Sequence, residues 1–314
     1  MIDRPKARVC IAIPTFRRPV QLRALLLAID GQQVSDDVRV DVVVLDNDDS
    51  PSASWIVEEK LLHHFSLTYR HISAPGLCMV RNEALKIGLA GYDFLAMIDD
   101  DEVPCPSWLS ALLATQAATK ADGVIGPVIQ RLPPDAPEWL RAGGFYDLPS
   151  FTDGSALSYG YSGNCLLSMP ALAIAGVVFS PALNFAGGED MFFFQQLVGR
   201  GARLVFSSAA LAIEDVPAAR ISFKYLIQLS FRRGNTLAFC DRSLRGSAKT
   251  NVSRFIKATG RIVLGGLSLV PLTIVRGRTG ACAASLNIAQ GLGGLSGLTG
   301  HVYNAYKRDI AASI

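Results

Sequence analysis

The chain has 314 residues, half of them hydrophobic and 18% charged, so it can bury a substantial core and general disorder is excluded. The formal net charge of +3 conceals an asymmetry, because residues 1–199 carry 14 Lys and Arg against 23 Asp and Glu, whereas residues 200–314 carry 16 against 4. An acidic N-terminal part and a basic C-terminal part indicate that the two parts bind different partners.

The first 130 residues alternate between strand and helix patterns. Strands are predicted in RVCIAIPTF, RVDVVVLDNDDS, SLTYRHI and YDFLAMID, with helices between them in PVQLRALLLAIDG, SASWIVEEKLLHHF and LCMVRNEALKIGLAG. A helix in PSWLSALLATQAAT and a strand in GVIGPVIQ close the series. Strands separated by helices of this length predict an α/β fold, with a mostly parallel sheet and helices on both faces.

Residues 131–160 have a different character. They are rich in Pro, Gly and aromatic residues, including Trp139, Phe145 and Tyr146, and predict a long loop that forms a mobile wall. After about residue 218 the strand patterns end. We therefore predict one α/β domain over residues 1–218 and a helical, basic region over residues 219–314.

Four consecutive carboxylates, Asp99 to Glu102, directly follow the apolar run FLAMI. Like charges this close raise one another's pKa and repel unless something neutralises them. Pro14-Thr15 and Asp46-Asn47-Asp48 also follow strands, and ligands of open α/β sheets bind where strands end. Since Mg²⁺-like ions take carboxylates together with substrate phosphates, the pattern predicts a cation that carries a phosphorylated ligand. The alternative is a solvated acidic turn.

Several other kinds of site are disfavoured. The turn after the first strand lacks G-x-G-x-x-G, and the chain contains no Walker A sequence. The six cysteines form no C-x-x-C pair and the four histidines show no metal-ligand spacing, so buried free thiols are predicted. The basic N-terminal segment passes directly into a strand without a signal peptide's apolar segment, so a cytoplasmic location is expected.

A second acidic motif follows the Gly187-Gly188 turn. Glu189 and Asp190 begin the apolar helix of GGEDMFFFQQL. Acids at a helix N-terminus complement the helix dipole, so in isolation this position has both a structural and a functional interpretation.

Taken in order, these segments resemble a known family. IAIPTFRRPVQL, VVVLDNDDS, APGLCMVRNEAL, FLAMIDDDEVPCPSWL, SGNCLL and GGEDMFFFQQL are similar to family-2 inverting glycosyltransferases of the GT-A fold, above all to non-processive enzymes of bacterial exopolysaccharide or surface-glycan assembly. The resemblance covers roughly residues 8–240. It implies metal-dependent, inverting transfer of one sugar from a nucleotide sugar to a glycan or lipid-linked acceptor. A UDP-hexose donor is expected by family frequency, with GDP and dTDP donors left open.

The resemblance also assigns roles to individual residues. Asp46 would contact the nucleotide base, Arg81 would flank the base and diphosphate, and Asp99 and Asp101 would hold Mn²⁺ or Mg²⁺, with Asp101 as the main ligand. The residues implied in binding the donor are Pro14, Thr15, Arg17, Asp46, Arg81, Asp99 and Asp100.

The catalytic step is assigned to the second acidic motif. By resemblance, Asp190 would be the catalytic base, with Glu189 beside it. A carboxylate in this place accepts the proton of the acceptor hydroxyl as its oxygen attacks the anomeric carbon. Gly163-Asn164 would shape the wall of the sugar and acceptor site.

One departure from the wider family limits the reaction. Processive synthases carry Q-x-x-R-W, whereas QLSFRRGN in this chain has Gln228, Arg232 and Arg233 but no Trp. This favours transfer of a single sugar. Arg232 and Arg233 could neutralise the leaving diphosphate or form a solvated basic helix face, and the sequence leaves both open.

Other functions compete with this interpretation. A sugar nucleotidyltransferase would normally show a Gly-rich basic loop after the first strand, which PTFRRPVQL is not. A membrane-docked scaffold without turnover would not need the intact acids Asp99, Asp101 and Asp190. Nucleic-acid binding is disfavoured because the basic C-terminal third has few aromatic residues and much Gly and Leu.

The C-terminal region contains two uncharged apolar stretches. Residues 262–275, between basic flanks, are shorter than the ~20 residues of a membrane span, and residues 279–300 are long enough but carry glycines, Asn and Gln. Peripheral docking on an anionic membrane is predicted, which would bring the enzyme to a lipid-linked acceptor at the inner face of the cell membrane. The alternative is a pair of buried helices.

Overall fold

The computed structural model describes residues 7–304. Its β-strands are β1 (Ala7–Thr15), β2 (Val38–Asp46), β3 (Ser66–His71), β4 (Phe94–Ile98), β5 (Glu102–Pro104), β6 (Gly123–Ile125), β7 (Val128–Arg131), β8 (Ala156–Leu157), β9 (Asn164–Ser168), β10 (Leu204–Phe206) and β11 (Ala212–Asp215). Its α-helices are α1 (Pro19–Asp30), α2 (Trp55–Glu59), α3 (Leu77–Leu89), α4 (Trp108–Thr119), α5 (Glu138–Arg141), α6 (Met169–Ala175), α7 (Glu189–Gly199), α8 (Phe223–Arg245) and α9 (Ala248–Leu298).

These elements belong to two compact units. The first comprises residues 7–131, 148–184 and 190–215, and the second comprises residues 132–147, 185–189 and 216–304. Two short segments from the first 218 residues thus group with the C-terminal helices. The functional division into a catalytic domain and a C-terminal region stays a prediction.

The first unit contains an eight-stranded mixed sheet, in the order β3-β2-β1-β4-β9-β6-β10-β8. Strands β3, β2, β1 and β4 run parallel to one another, as do β6 and β10. Strand β9 is antiparallel to both β4 and β6, and β8 is antiparallel to β10. Parallel pairings therefore predominate, and the carboxyl ends of β1, β2 and β4 lie at the same edge.

Alternate residues of β1 enter two different cores. Val9, Ile11 and Ile13 join a buried cluster with leucines of α1 and α4, while Cys10 and Ala12 join a second cluster with residues of α3 and α7. Because successive side chains of a strand point to opposite faces, helices cover both faces of the sheet. This confirms the predicted α/β class.

The predicted strand GVIGPVIQ is in fact two strands. β6 belongs to the large sheet, whereas β7 belongs to a three-stranded sheet ordered β5-β11-β7. The chain changes sheets at Gly126-Pro127, where the proline lacks the N–H that a continuous central strand would need.

The helix predicted in SASWIVEEKLLHHF is shorter than expected. α2 ends at Glu59, and the next residue, Lys60, has a left-handed φ of 47°. Beyond it, the backbone N–H groups of His63 and His64 donate to Asp30 Oδ1 at 2.7 and 2.9 Å, so a tertiary contact replaces the helical bonds. All six cysteines are free and five are buried, as predicted.

The second unit is built on the extensive contact between α8 and α9. A small core joins Leu140, Tyr146, Leu226 and Cys282, and the Tyr146 hydroxyl donates to the carbonyl of Arg220 at 2.6 Å. The stretch predicted as one loop over residues 131–160 is therefore divided. Residues 132–147 form part of this packed unit, and residues 148–160 belong to the first unit and include β8.

Candidate functional site

The polar ends of β1 and β2 lie side by side. Thr15 is in register with Asp46, and Pro14 precedes it opposite Leu45. Thr15 Oγ1 also donates to Asp100 Oδ2 at 2.7 Å, which ties the end of β1 to the turn that follows β4. The structure thus brings together the three strand ends that the sequence placed at one edge.

Asp100 is a buried anchor of this edge. Its carboxylate accepts hydrogen bonds from Thr15 Oγ1, from the Phe16 N–H at 3.3 Å and from Arg18 Nη1 at 2.7 Å. Burial raises the pKa of Asp100, and the Arg18 charge opposes that rise. Since its oxygens accept hydrogen bonds from the end of β1 and from the loop between β1 and α1, Asp100 fixes the shape of the turn. Its implied contact with the nucleotide sugar stays a prediction.

Arg18 bridges two of the carboxylates. The same Nη1 atom lies 2.7 Å from Asp100 Oδ1 and 2.8 Å from Asp101 Oδ2. Burial, and then the neighbouring charge of Asp99, raises the pKa of Asp101 to about 7, although Arg18 acts in the opposite direction. Arg18 thus offsets the charge of two carboxylates of the acidic turn at once.

Asp99 faces a different arginine. Arg81 Nη2 of α3 lies 3.3 Å from Asp99 Oδ1, and the Arg81 guanidinium lies 5.7 Å from the centre of the Phe179 ring. Phe179 in turn stacks on Phe193, with centroids 4.1 Å apart. Arg81 is only 3% exposed, so this aromatic support fixes a positive charge beside Asp99.

Asp46 is fully buried, and its carboxylate is hydrogen-bonded inside the protein. The N–H groups of Asp48 and Ala53 donate to it at 3.0 and 2.8 Å, and the Tyr69 hydroxyl donates at 2.8 Å. These bonds shape the loop after β2. The contact with the donor base that the resemblance implies for Asp46 stays a prediction.

Arg17 contacts the loop after β2 through Asp48. It has a left-handed φ of 55°, which turns the chain from β1 towards α1, and its Nε donates to Asp48 Oδ1 at 2.8 Å. Burial acts to raise the pKa of Asp48, but hydrogen bonds from the Asp49 N–H and from Arg17 outweigh it, so the pKa is lowered. Asp48 is therefore ionised beside an exposed arginine.

Two further acids, Glu102 and Glu214, lie in the strands next to the Asp99–Asp101 turn. Glu102 of β5 is in register with Glu214 of β11, and burial raises the pKa of Glu102 well above its usual value. Its Oε2 atom is buried without a hydrogen-bond partner. Gly163 lies against the same group, since a Cβ there would come within 2.6 Å of Glu102 Oε1 and 3.1 Å of Asp99 Oδ2.

The donor set fits a divalent cation held jointly with a phosphate. Among residues 7–304, no three His, Cys, Asp or Glu side chains are grouped to hold a metal alone. Mg²⁺-like ions are commonly bound by one or two carboxylates plus substrate phosphates. A cation would relieve the electrostatic repulsion between the carboxylates of Asp99 and Asp101. The buried Oε2 atom of Glu102, which has no hydrogen-bond partner, lies next to the same turn.

The second acidic motif begins α7. Gly187 and Gly188 both have positive φ, which turns the chain sharply before Glu189. Glu189 is buried, while Asp190 is half-buried and its Oδ1 accepts the Met191 N–H at 2.7 Å.

The loop before β9 connects Asp190 with the acidic turn. Burial, followed by the charges of Tyr159 and Asp190, raises the pKa of Tyr161 to about 12, so Asp190 lies near Tyr161. Two residues later, the Gly163 carbonyl accepts the Asp99 N–H at 3.2 Å. Within the first unit, residues 161–163 thus contact the Asp99 turn and lie near the proposed base.

Sequence reasoning missed Arg18, the half-buried Tyr69 and the buried Phe179. A signal for Arg18 was present, because it stands directly before Pro19, the first residue of α1, at the edge where the acids were expected. Tyr69 and Phe179 carried no such signal, since each reads as an ordinary strand or core aromatic. Arg232 and Arg233 lie in α8 of the second unit, and their predicted role stays a prediction.

Comparisons with known proteins agree on one family. The model described as "Glycosyl transferase family 2" matches residues 10–173. The chain is also 36% identical over 228 residues to the succinoglycan biosynthesis protein ExoM of Rhizobium meliloti (strain 1021), a match that covers 72% of each chain.

Solved structures share the fold at low sequence identity. The mannosyltransferase PcManGT from Pyrobaculum calidifontis, in complex with GDP-Man and Mn²⁺, has a TM-score of 0.60 at 17% identity and covers 94% of this chain and 88% of its own. S. aureus TarS 1-349 in complex with UDP-GlcNAc has a TM-score of 0.54 at 16% identity, with coverages of 94% and 92%. These structural similarities confirm the GT-A fold.

Proposed function

The chain belongs to glycosyl transferase family 2, and from this premise we propose that it transfers a single sugar, with inversion, from a nucleotide sugar to a glycan or lipid-linked acceptor. One observation carries the proposal: Asp99, Asp100 and Asp101 gather with Arg18 and Arg81 at the carboxyl edge of the sheet. ExoM is a succinoglycan biosynthesis protein, which supports a role for this chain in bacterial polysaccharide assembly.

The donor is proposed to be a nucleoside diphosphate hexose, with UDP as the expected nucleotide. TarS and PcManGT have been solved with UDP-GlcNAc and GDP-Man, which supports this class of donor. The carboxyl ends of β1 and β2 and the loops that follow them, with Pro14, Thr15, Arg17 and Asp46, would form the nucleotide side. Arg81, fixed by Phe179, would face the diphosphate with a permanent positive charge.

Asp99 and Asp101 would hold Mn²⁺ or Mg²⁺ together with the donor diphosphate. The PcManGT complex contains Mn²⁺, which supports this assignment. When bound, the ion would act as a Lewis acid that stabilises the charge on the leaving diphosphate. Arg18 would release Asp101 in that state while it keeps its bond to Asp100, so that the turn retains its shape.

Asp190 is proposed as the catalytic base, with Glu189 next to it at the start of α7. The acceptor oxygen would attack the anomeric carbon from the face opposite the diphosphate, while Asp190 takes its proton. One bond to the anomeric carbon forms as the bond to the phosphate oxygen breaks, so the configuration inverts. A positioned carboxylate of this kind contributes about 10²–10⁴-fold to the rate.

The proposed place of the reaction is the cytoplasmic side of the cell membrane. The basic, apolar C-terminal region supports peripheral contact with anionic lipid, because residues 242–304 contain eight Lys and Arg and no Asp or Glu. Such contact would give the enzyme access to a lipid-linked acceptor.

The test is a panel of UDP-, GDP- and dTDP-sugars, scored by release of the nucleoside diphosphate with Mn²⁺, Mg²⁺ or a chelator. One donor should be turned over in a metal-dependent way, and Asp101→Asn should abolish the signal. Asp36→Asn, an exposed carboxylate of the same unit, serves as the matched control and should be unaffected. Absence of turnover with every donor would favour a scaffold, and release of pyrophosphate from a sugar phosphate and a nucleoside triphosphate would favour a nucleotidyltransferase.

A further inference from the structure

Helix α9 is a helical hairpin. Gly277 has non-helical backbone angles (φ 55°, ψ −133°) that separate residues 248–276, the outer helix, from residues 278–298, the inner helix. The two helices pack side by side, since Arg261 Nη1 of the outer helix donates to Gln290 Oε1 of the inner helix at 2.8 Å.

Small residues line the contacts of the inner helix. A Cβ on Gly265 would lie 2.8 Å from the carbonyl oxygen of Ala284, and a Cβ on Gly291 would lie 2.5 Å from that of Ala258. On its other side, Gly293 and Gly297 meet the backbone of α8 in the same way. Helices joined by Gly and Ala at such short distances are typical of packing in lipid, where apolar burial between helices provides no driving force.

Large apolar residues point outward from the outer helix. They recur at spacings of three, four and seven residues, so they form one stripe, and each is more than half exposed. The members of this outer stripe are Val252, Ile256, Val263, Leu267, Val270 and Ile274. A surface helix of a water-soluble protein places such residues inward, so this helix has the reverse arrangement.

Charge and length restrict what can cover the outer stripe. Lys257 and Arg261 precede the uncharged residues 262–275, and Arg276 and Arg278 follow them. Fourteen helical residues span about 21 Å at 1.5 Å per residue, whereas a bilayer's hydrocarbon core is about 30 Å thick. Because the uncharged run 262–275 has basic residues on both sides and is too short to cross, the outer helix fits a position parallel to the membrane plane.

The inner helix is not available to lipid in the same way. Although 51 residues of α9 are long and apolar enough by composition to span a membrane, residues 278–298 lie between α8 and the outer helix. Of the large apolar residues in this part, Leu292 is 48% exposed and the others are more buried.

We propose that the outer stripe inserts into one leaflet of an anionic phospholipid membrane, with the outer helix parallel to the surface and the Lys and Arg that flank residues 262–275 at the headgroups. This assigns a surface and a depth to the peripheral contact of the proposed function, on which it rests. Apolar side chains in the acyl boundary and basic residues at the phosphates stabilise such helices additively.

The experiment is flotation of the full chain with vesicles of phosphatidylglycerol and phosphatidylcholine, or of phosphatidylcholine alone. Wild-type protein should float with the anionic vesicles and much less with the neutral ones. Leu267→Gln/Val270→Gln/Ile274→Gln should reduce the bound fraction by about tenfold or more, because three apolar side chains would no longer be buried in lipid. The fold should stay intact, since these side chains are exposed in the protein. The matched control is Val20→Gln/Ile174→Gln/Val178→Gln, which changes exposed apolar residues of the first unit and should bind like wild type.

Three results would overturn the proposal. Equal flotation of wild type and the Leu267 triple variant would show that the outer stripe does not enter lipid. Equal flotation with neutral and anionic vesicles would exclude the role of the basic ends. A concentration-dependent dimer that the triple variant abolishes, without vesicle binding, would assign the stripe to a second copy of the chain. Donor turnover measured without vesicles reports separately on the proposed function, and the triple variant should retain it.

Discussion

Arg18 and Asp101 form an ion pair at the centre of the acidic turn, with Nη1 and Oδ2 2.8 Å apart. The same guanidinium nitrogen also holds the buried Asp100. One arginine that the sequence pattern gave no role thus offsets part of the repulsion among the carboxylates that the pattern did identify.

Arg18→Ala should destabilise the metal-free protein by about 2 kcal/mol, because two largely buried carboxylates lose their nearest cation. The value is below that for a fully buried pair, since the Arg18 side chain is 35% exposed. Mn²⁺ should restore part of the loss. Chemical unfolding with and without Mn²⁺ measures both effects, and Arg17→Ala, which removes a 59% exposed side chain, is the control with the smaller loss. An unchanged stability for Arg18→Ala would contradict this role.

The pKa of Asp101 gives the metal-free protein a specific pH dependence. Because the folded-state pKa is raised to about 7 from 3.8, the folded protein holds this proton more tightly than the unfolded chain. The stabilisation from the protonated group is complete below about pH 4 and is lost as the pH rises through about 7. Melting temperatures in chelator should therefore fall over this range relative to Asp101→Asn. Parallel curves for the two proteins would show that Asp101 titrates normally.

The sequence predicted the parts of the fold that rest on periodic local patterns. β1, β2 and β4 were apolar runs that end in polar residues, and the common edge of their carboxyl ends follows from parallel pairing. The exchange of β7 into a second sheet could not be predicted, because GVIGPVIQ reads as one strand and its partners β5 and β11 lie far away in sequence.

The acidic residues of the site could be predicted from the sequence, but the residues that hold them in place could not. Asp99, Asp100 and Asp101 stand together in the sequence, whereas Arg81, Phe179 and their mutual contact depend on segments about a hundred residues apart. The hydrogen bonds to Asp46 could not be predicted either. Their donors, the Ala53 N–H and the Tyr69 hydroxyl, reach Asp46 only through the tertiary fold.

Gly163→Ala should damage the acidic turn. The added methyl would lie 2.6 Å from Glu102 Oε1 and 3.1 Å from Asp99 Oδ2, so one of the acids must shift. Overpacking of this kind costs about 1–3 kcal/mol and should reduce metal-dependent turnover by about tenfold or more. Gly199→Ala is the control, since nothing lies within 4 Å of a Cβ there. Wild-type turnover and stability in Gly163→Ala would refute the close contact.

The exposed part of residues 148–155 should become protected when donor product and metal bind. Residues 149, 150, 152 and 153 are exposed and lie outside helices and strands, whereas Tyr146 is buried, so proteases should cut after residue 147. A nucleoside diphosphate with Mn²⁺ should slow that cleavage if this stretch orders around the ligand. Cleavage at the same rate with and without ligand would identify a static segment.

The central claim is that donor binding and chemistry reside in different carboxylates of the first unit. The most direct measurement compares Asp190→Asn with wild type, using calorimetry for the donor Kd in the presence of Mn²⁺ and product release for kcat. The donor Kd should stay nearly unchanged while kcat falls by about 10²–10⁴-fold, the contribution of a positioned base. Near wild-type kcat in Asp190→Asn, or a loss of donor affinity as large as the loss of turnover, would contradict the assignment of Asp190 as the base.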